Sequence, residues 1–373
     1  MAGAPLNIDY DPQRGSETQA PHRSALESMK RRKSNRTGLG VYAVPGLYHD
    51  YDPYLLFSGV PHHQGFSAHY GRYRLNSLGF RSPEVGDKRL FRVIVVGGST
   101  VWGSGASDNS TTFPAQLQTL SKSEFGLRLE VINAGCGAYV SFQELVLIAH
   151  RLVYLNPDLV IIFDGYNDFH FASRLPEEDY AFNELETYRH LKTFLISHTA
   201  GRERGQVTTL GEGPSRRRKL LPSRRMSRTV LLERQRAEEH FAFNLKGIKN
   251  YLTNIEMMAA LLTGRGIAVY LGLQPYLPLS RKPPSPHEKA LLEVEKAKPD
   301  KIAVFSAAYR KADERLNEIA AASGITYRNF TNIFDEASPT CFFDDVHPND
   351  EGYRRIALTI ARWLAETNPR LPL

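Results

Sequence analysis

The sequence predicts a three-layer α/β/α fold built on a parallel, five-stranded sheet, and three observations predict it. Short, nearly continuous apolar runs recur along the chain, they end in turns rich in Gly and polar residues, and segments with helical spacing of apolar residues separate them. Strands covered by helices on both faces read as unbroken β-branched runs, and alternation of strand and helix implies parallel pairing through right-handed crossovers. With 373 residues and 42% apolar content, the chain can bury a sizeable core. One elaborated domain plus a tail fits it better than two equal domains.

Residues 92–96 read RVIVV, the first strand. Gly97 and Gly98 break it, Ser99 and Thr100 follow, and Phe113-Pro114-Ala115 opens a helix. A second strand, LEVIN at 129–133, runs into Ala134-Gly135-Cys136-Gly137-Ala138-Tyr139, a small-residue loop that allows close backbone approach. The third, PDLVIIF at 157–163, ends in Asp164-Gly165-Tyr166-Asn167-Asp168. Helical spacing returns over 243–262, and Gly266 leads into a fourth strand, IAVYLGL, which closes on Gln274-Pro275-Tyr276. Residues 302–321 predict a long helix, 325–327 a short fifth strand, and 350–366 a closing helix with apolar Ile356, Ile360 and Trp363.

The chemistry lies in the turns. A serine hydroxyl is a poor nucleophile unless an imidazole takes its proton, and the imidazole works best when a carboxylate orients it. Ser99 sits on a glycine-flanked strand-to-helix turn, which presents a hydroxyl at the C-terminal edge of a sheet, where ligands bind in open α/β folds. Asp344, Asp345, Val346, His347, Pro348 and Asn349 add acid and base near the C-terminus. A tetrahedral intermediate also needs preorganised donors for its negative oxygen. The side chain of Asn167 and an N–H from the loop around Ala138 suit that need. Taken singly, GGST reads as a capped turn, GYND as an ordinary turn, and His347 as a residue capping the final helix.

Taken together, GGST, NAGCGAY, GYND and DDVHPND resemble, in order and separation, the four sequence blocks of the SGNH/GDSL hydrolase superfamily. The resemblance runs over roughly 92–366, and YRLNSLGFRSPE at 73–84 is similar to the lead-in of bacterial members. It implies a flavodoxin-like fold, with Ser99 as nucleophile, His347 as base and Asp344, three residues before it, as acid. It also implies an oxyanion hole made by the N–H of Ser99, the N–H of Ala138 and the side chain of Asn167. Two departures stand out. Gly98 replaces the aspartate of the usual GDS triplet, a variant of one bacterial esterase/lipase-like branch. Ala138 occupies the place of the usual oxyanion glycine, so donation there is expected to need ordinary backbone angles, since positive φ costs a non-Gly residue on the order of 1 kcal/mol or more. Asp345 is expected to point to solvent or toward the N-terminus of the closing helix.

The activity so implied is serine ester hydrolysis through an acyl-enzyme, acting on carboxylic esters such as acetylated glycans or lipids, with no metal and no organic cofactor. An acyltransferase passing the acyl group to a glycan would use the same residues, and a non-catalytic acyl-glycan binding module would have lost one of them. A nucleotide-binding reading fits less well. Gly97, Gly98, Gly103 and Gly105 miss the G-x-G-x-x-G spacing, and no Lys follows them as a phosphate loop requires.

Charge and composition set the remaining organisation. Residues 1–45 are polar and basic, with Lys30, Arg31, Arg32, Lys33 and Arg36 clustered, and are expected to form a disordered tail. Residues 46–91 are expected to be an N-terminal arm packing on the core, and 92–370 the hydrolase domain. A basic insertion at about 200–230 interrupts that domain. It carries Arg204, Arg216, Arg217, Arg218, Lys219, Arg224 and Arg225 against Glu203 and Glu212. No aromatic residue is interleaved in this run, so it is read as a solvated loop rather than a nucleic-acid surface. Cys136 and Cys341 lack metal-ligand spacing and are read as free thiols. No apolar stretch is long enough to span a bilayer and the N-terminus has no apolar signal core. As it stands the sequence reads as cytoplasmic, extracytoplasmic if an export signal has been removed, and oligomeric state is not encoded in any motif.

Overall fold

A computed structural model of the chain describes residues 48–174 and 241–367. The basic tail, the basic insertion and the last residues lie outside them. Before the main sheet come two antiparallel hairpins, β1 (His49–Asp52) with β2 (Leu56–Gly59) and β3 (Gln64–Ser67) with β4 (Gly71–Arg74). The sheet itself consists of β5 (Phe91–Val96), β6 (Leu129–Asn133), β7 (Leu159–Asp164), β8 (Ala268–Leu273) and β9 (Thr326–Asn329). Its order is β6-β5-β7-β8-β9 and every pairing is parallel. This is the doubly wound order whose switch point lies beside β5, the first strand.

Helices cover the sheet on both sides. The chain adds α1 (Ser99–Trp102), α2 (Phe113–Phe125), α3 (Ser141–His150), α4 (Tyr166–Ala172), α5 (Leu245–Thr263), α6 (Pro286–Lys296), α7 (Pro299–Ser323) and α8 (Asp350–Thr367). α2 packs on α8, while α3 and α7 both pack on α5. β5 to β8 are almost wholly buried, all six residues of β7 among them, as the unbroken apolar runs require, whereas the edge strand β9 is half-exposed. Ile94, Val96, Ile132, Val160, Ile162 and Leu271 form the centre of the main core with Ile255 and Met258 of α5. Among the described residues, no helix is long and apolar enough to cross a membrane.

The element boundaries differ from the sequence reading where polar residues do the capping. The third strand begins at Leu159 rather than 157, because Pro157 has no N–H to give a ladder and Asp158 instead accepts from the N–H of Arg92 at 2.8 Å. α5 starts at Leu245, after Asn244, whose side chain accepts from the N–H of Gly247. The long helix starts at Pro299, three residues before its apolar periodicity, with Pro at the first position and Asp300 in the first turn. The fifth strand is Thr326–Asn329, one residue later than read. α3 and α6 and the two hairpins were not predicted at all, and α4 begins inside the Gly165-Tyr166-Asn167-Asp168 segment read as a turn.

The segment before β5 grips the turn that follows it. Tyr48 stacks on Trp102 of α1 with ring centroids 4.3 Å apart, and Tyr70 and Tyr73 meet the same indole edge-on. Arg81, 1% exposed, lies over the same indole, its guanidinium carbon 4.5 Å from the Trp102 centroid. Its N–H groups reach the carbonyls of Gly103 and Arg72 and the side chain of Asn109 at 2.9–3.0 Å. One buried cation thereby ties β4, the end of α1 and the following loop.

Replacing Arg81 by Met keeps the stem and strands the buried Gly103 carbonyl and the partly buried Arg72 carbonyl. Arg81→Met should therefore lower the unfolding free energy by roughly 2–4 kcal/mol, measured as a shift of the urea midpoint at unchanged slope. A loss below about 0.5 kcal/mol, the scale of an ordinary surface substitution, would show that the guanidinium is not what holds these elements.

Candidate active site

Three turns converge at the C-terminal edge of the sheet. β5 ends at Val96, and Gly97-Gly98 carries the chain into α1, whose first residue is Ser99. The N–H groups of a helix's first turn have no acceptor within the helix. Space at Gly98 is tight, because a Cβ there would stand 2.6 Å from Nδ2 of Asn167 and 3.3 Å from the carbonyl of Tyr139. An aspartate here would require the Asn167 amide to shift from the place it occupies beside Gly98.

Oγ of Ser99 lies 2.8 Å from Nε2 of His347, and Nδ1 of His347 lies 2.9 Å from Oδ2 of Asp344. The structure thus brings Ser99, His347 and Asp344 into one line. His347 and Asp344 are 3% and 5% exposed. Burial by itself would raise the Asp344 pKa. His347 beside it overcomes that effect, helped by His69 and by the backbone N–H of His347, and holds the carboxyl well below the usual carboxylate range. An ionised Asp344 accepts the proton of Nδ1, so Nε2 is left as the acceptor facing the serine.

The loop carrying His347 is anchored from both sides. On the α6 side, the Glu288 carboxylate accepts the N–H of Cys341 at 2.9 Å and that of Phe342 at 3.3 Å, and pairs with Lys282 at 2.8 Å, both side chains fully buried. On the other side Ser107 donates its N–H and hydroxyl to Asp350, and Tyr353 donates to the carbonyl of Ser104 at 2.7 Å. Gly105 has φ +94, and a Cβ there would meet the Pro348 carbonyl at 2.4 Å. Only glycine lets the two loops approach this closely. Sequence reasoning missed Glu288 and its helix. The signal was present as Ser285-Pro286-His287-Glu288, a capping box in which Ser285 and Glu288 bond each other's backbone N–H.

The remaining residues of the oxyanion reading stand close by. Asn167, 8% exposed, donates from Nδ2 to the carbonyl of Tyr139 at 2.8 Å. It therefore binds the loop that contains Ala138. Ala138 does not have the ordinary backbone angles expected of it: its φ is +66. The loop's close packing overrides the local preference. A Cβ at Gly137 would meet the Tyr48 hydroxyl at 2.3 Å, and the N–H of Tyr139 turns back to the carbonyl of Cys136, so the tight turn falls on Ala138 at a cost of about 1–2 kcal/mol. Asp345 also departs from expectation. Its carboxylate faces neither solvent alone nor α8 but lies 3.1 Å from Nζ of Lys301, which also meets Glu295 at 2.7 Å. Cys136 and Cys341 are buried free thiols.

The chain matches the model of the GDSL-like lipase/acylhydrolase family over residues 95–355. The chain belongs to that family. This membership supports an esterase-type hydrolase. A search of curated proteins returns no match. Among solved structures, a lipase/acylhydrolase from Enterococcus faecalis is 16% identical, with a TM-score of 0.39 and coverage of 75% of this chain and 97% of that one. A GDSL-like lipase from Bacteroides thetaiotaomicron is 16% identical, with a TM-score of 0.38 and coverage of 76% and 92%. Axe2, an acetylxylan esterase from Geobacillus stearothermophilus, is 13% identical, with a TM-score of 0.38 and coverage of 73% and 92%. None of these likenesses bears on substrate.

Beneath the GDSL-family site lies a second set of acids that does not touch Ser99. Asp168 accepts from the N–H and hydroxyl of Ser141 at 3.0 and 2.6 Å, pinning the start of α3 to α4. Burial, and then the neighbouring Asp164, push its pKa up to about 7. Glu144 is fully buried, no donor among the described residues reaches either oxygen, and burial followed by Asp164 raises its pKa well above the usual range. These acids hold the floor of the loops as neutral or proton-sharing groups.

Because folding raises the Asp168 pKa, the folded chain keeps a proton that the unfolded chain releases above the ordinary carboxylate range. The associated stability is complete below that range and is lost as pH rises through about 7. Asp168→Asn should consequently gain stability relative to the wild type as pH rises from about 4 to about 7, by up to about 4 kcal/mol. Urea titrations of both proteins across this range measure it, and parallel curves would show that Asp168 does not carry the proton.

Proposed function

We propose that the chain is a serine ester hydrolase working through an acyl-enzyme, with Ser99, His347 and Asp344 as its catalytic residues. The reading is carried by one observation, the continuous line from Oγ of Ser99 through both nitrogens of His347 to a buried Asp344. Ser99 attacks the ester carbonyl as Nε2 of His347 takes its proton. Asp344 stabilises the imidazolium so formed. The tetrahedral oxyanion is received by the N–H of Ser99, the Asn167 amide and the N–H of Ala138, which donates from the left-handed conformation that the loop's packing imposes on it instead of from the ordinary angles expected. His347 then returns the proton to the departing alcohol, and water repeats the cycle on the acyl-enzyme. The substrate class is a carboxylic ester; the residues fit acetylated glycans and lipids alike.

Turnover of p-nitrophenyl esters of increasing acyl length, beside acetylated glycans, tests the reading. Wild type should hydrolyse the short ester and Ser99→Ala should not; equal rates would remove Ser99 from the chemistry. A steep preference for acetate marks a carbohydrate deacetylase, and a rise with chain length marks a lipid-directed enzyme. Acyl transfer to a glycan in place of release to water would make the chain a transferase.

Adjacent acids give the sharpest internal comparison. Asp344→Asn should lower kcat at least about 10²-fold and up to about 10⁴-fold. Asp345→Asn, whose partner is Lys301, should lose stability but stay within a few-fold in kcat. Asn167→Ala should lower kcat by about 10²- to 10³-fold with little change in KM. A reversed ranking of the two aspartates in folded protein would move the acid to Asp345.

A further inference from the structure

His69 stands on the turn between β3 and β4, far from the four sequence blocks, yet its side chain lies against the Asp344–His347 pair. Its Nδ1 is 4.0 Å from Oδ2 of Asp344, and its ring meets that of His347 edge-on at 5.2 Å. Phe343 at 5.5 Å and Tyr70 at 4.8 Å brace the same ring, and the His69 carbonyl accepts the N–H of Gly105 at 2.8 Å. The position is therefore fixed by backbone and side-chain contacts. One donor atom from each of His69, Asp344 and His347 falls within 4.8 Å of the others, and the His69 side chain is 21% exposed, which leaves a way in from solvent.

Two imidazoles and one carboxylate are the donor set that a borderline-soft divalent cation takes at a three-ligand, open-fourth-position site. Metal–ligand bonds of about 2.0–2.2 Å in tetrahedral geometry set donors about 3.4 Å apart. The separations of 2.9 Å for Asp344 to His347 and 4.0 Å for Asp344 to His69 bracket that value, and all three donors lie within 4.8 Å of one another, so a shift of about 1 Å, chiefly of His69, closes the site.

We propose that His69, Asp344 and His347 form a binding site for one divalent cation of the Zn²⁺ class, and that its occupation switches off the ester chemistry. The cation takes the lone pair of Nδ1 of His347 in place of the proton donated to Asp344. The neutral imidazole keeps its single proton, which moves to Nε2. Nε2–H then faces Oγ of Ser99 and cannot accept from it. No group is oxidised or lost, and removing the cation restores the original tautomer. The effect on turnover rests on the function proposed above, whereas binding of the cation does not.

The test uses the full chain freed of metal by chelation. Titration with Co²⁺ should give a visible d–d band saturating at one ion per chain and displaced by Zn²⁺. Zn²⁺ should inhibit p-nitrophenyl acetate turnover reversibly by chelator, and Mg²⁺, which prefers oxygen donors, should not. His69→Ala should weaken both Co²⁺ binding and Zn²⁺ inhibition by at least about tenfold, each rate being taken relative to the same variant without metal. If that variant fails to fold by circular dichroism, His69→Gln, which keeps the volume without an imidazole, replaces it. Absence of the Co²⁺ band, or a band and an inhibition constant unchanged by loss of the imidazole, overturns the site. A chain that binds Co²⁺ through His69 but hydrolyses no ester supports the site and refutes the proposed activity instead. Ester turnover insensitive to a bound ion overturns the switch.

Discussion

One hydrogen bond, 2.8 Å from Nε2 of His347 to Oγ of Ser99, joins two turns 248 residues apart in sequence, and the architecture around it exists to keep that distance. A hydrogen bond of this kind contributes only about 1 kcal/mol net, far less than ordering two loops costs. The loops must be held by other means. Ser107 and Ser104 bind the start of α8, Glu288 binds the N–H groups of Cys341 and Phe342, and the bare backbone of Gly105 touches Pro348. The aromatic clamp on Trp102 with Arg81 fixes the α1 side. The sheet order then matters because β5 lies between β6 and β7, which sets Ser99, the Ala138 loop and Asn167 side by side at its edge.

Two buried carboxyl environments within the same edge show how donors decide charge. Asp344 is nearly inaccessible but receives the N–H groups of Val346 and His347 and the imidazole N–H, so the ionised form prevails against burial. Glu144 and Asp168 are at least as deeply buried, but Glu144 faces another acid, Asp164, and Asp168 receives the N–H and hydroxyl of Ser141 with Asp164 as its charged neighbour. Burial prevails there and the proton stays. The carboxyl beside the imidazole is thus held toward its charged form, first by His347 facing it and then by hydrogen bonds, while those near Asp164 are held toward the protonated form by burial and by a neighbouring acid.

The sheet was legible in sequence because its strands are buried on both faces and so lack polar interruption; RVIVV, LEVIN and LVIIF each occupy a strand. The turns that gather the candidate site residues were legible for the opposite reason, since glycine and polar residues break those runs at one edge. Elements whose stability comes from caps and distant partners were not legible. α6 buries only Leu291 among its apolar residues alongside Glu288 and Glu295, so periodicity does not announce it. The hairpins carry short strands of mixed burial, held by an indole that lies beyond them in sequence. The positive φ of Ala138 and the Lys301 partner of Asp345 depend on tertiary packing that no local pattern encodes. His69 reaches the site only because β3 and β4 fold back across α1.

The central claim is that Ser99 is a nucleophile activated by His347. Reaction of the folded chain with a fluorophosphonate, followed by mass spectrometry of proteolytic peptides, tests it most directly, because only an activated serine attacks phosphorus readily. The account predicts one phosphonyl adduct per chain, on Ser99, formed far more slowly once His347 is replaced by Ala. An adduct on a different residue, or labelling of Ser99 at the same rate without His347, would contradict it.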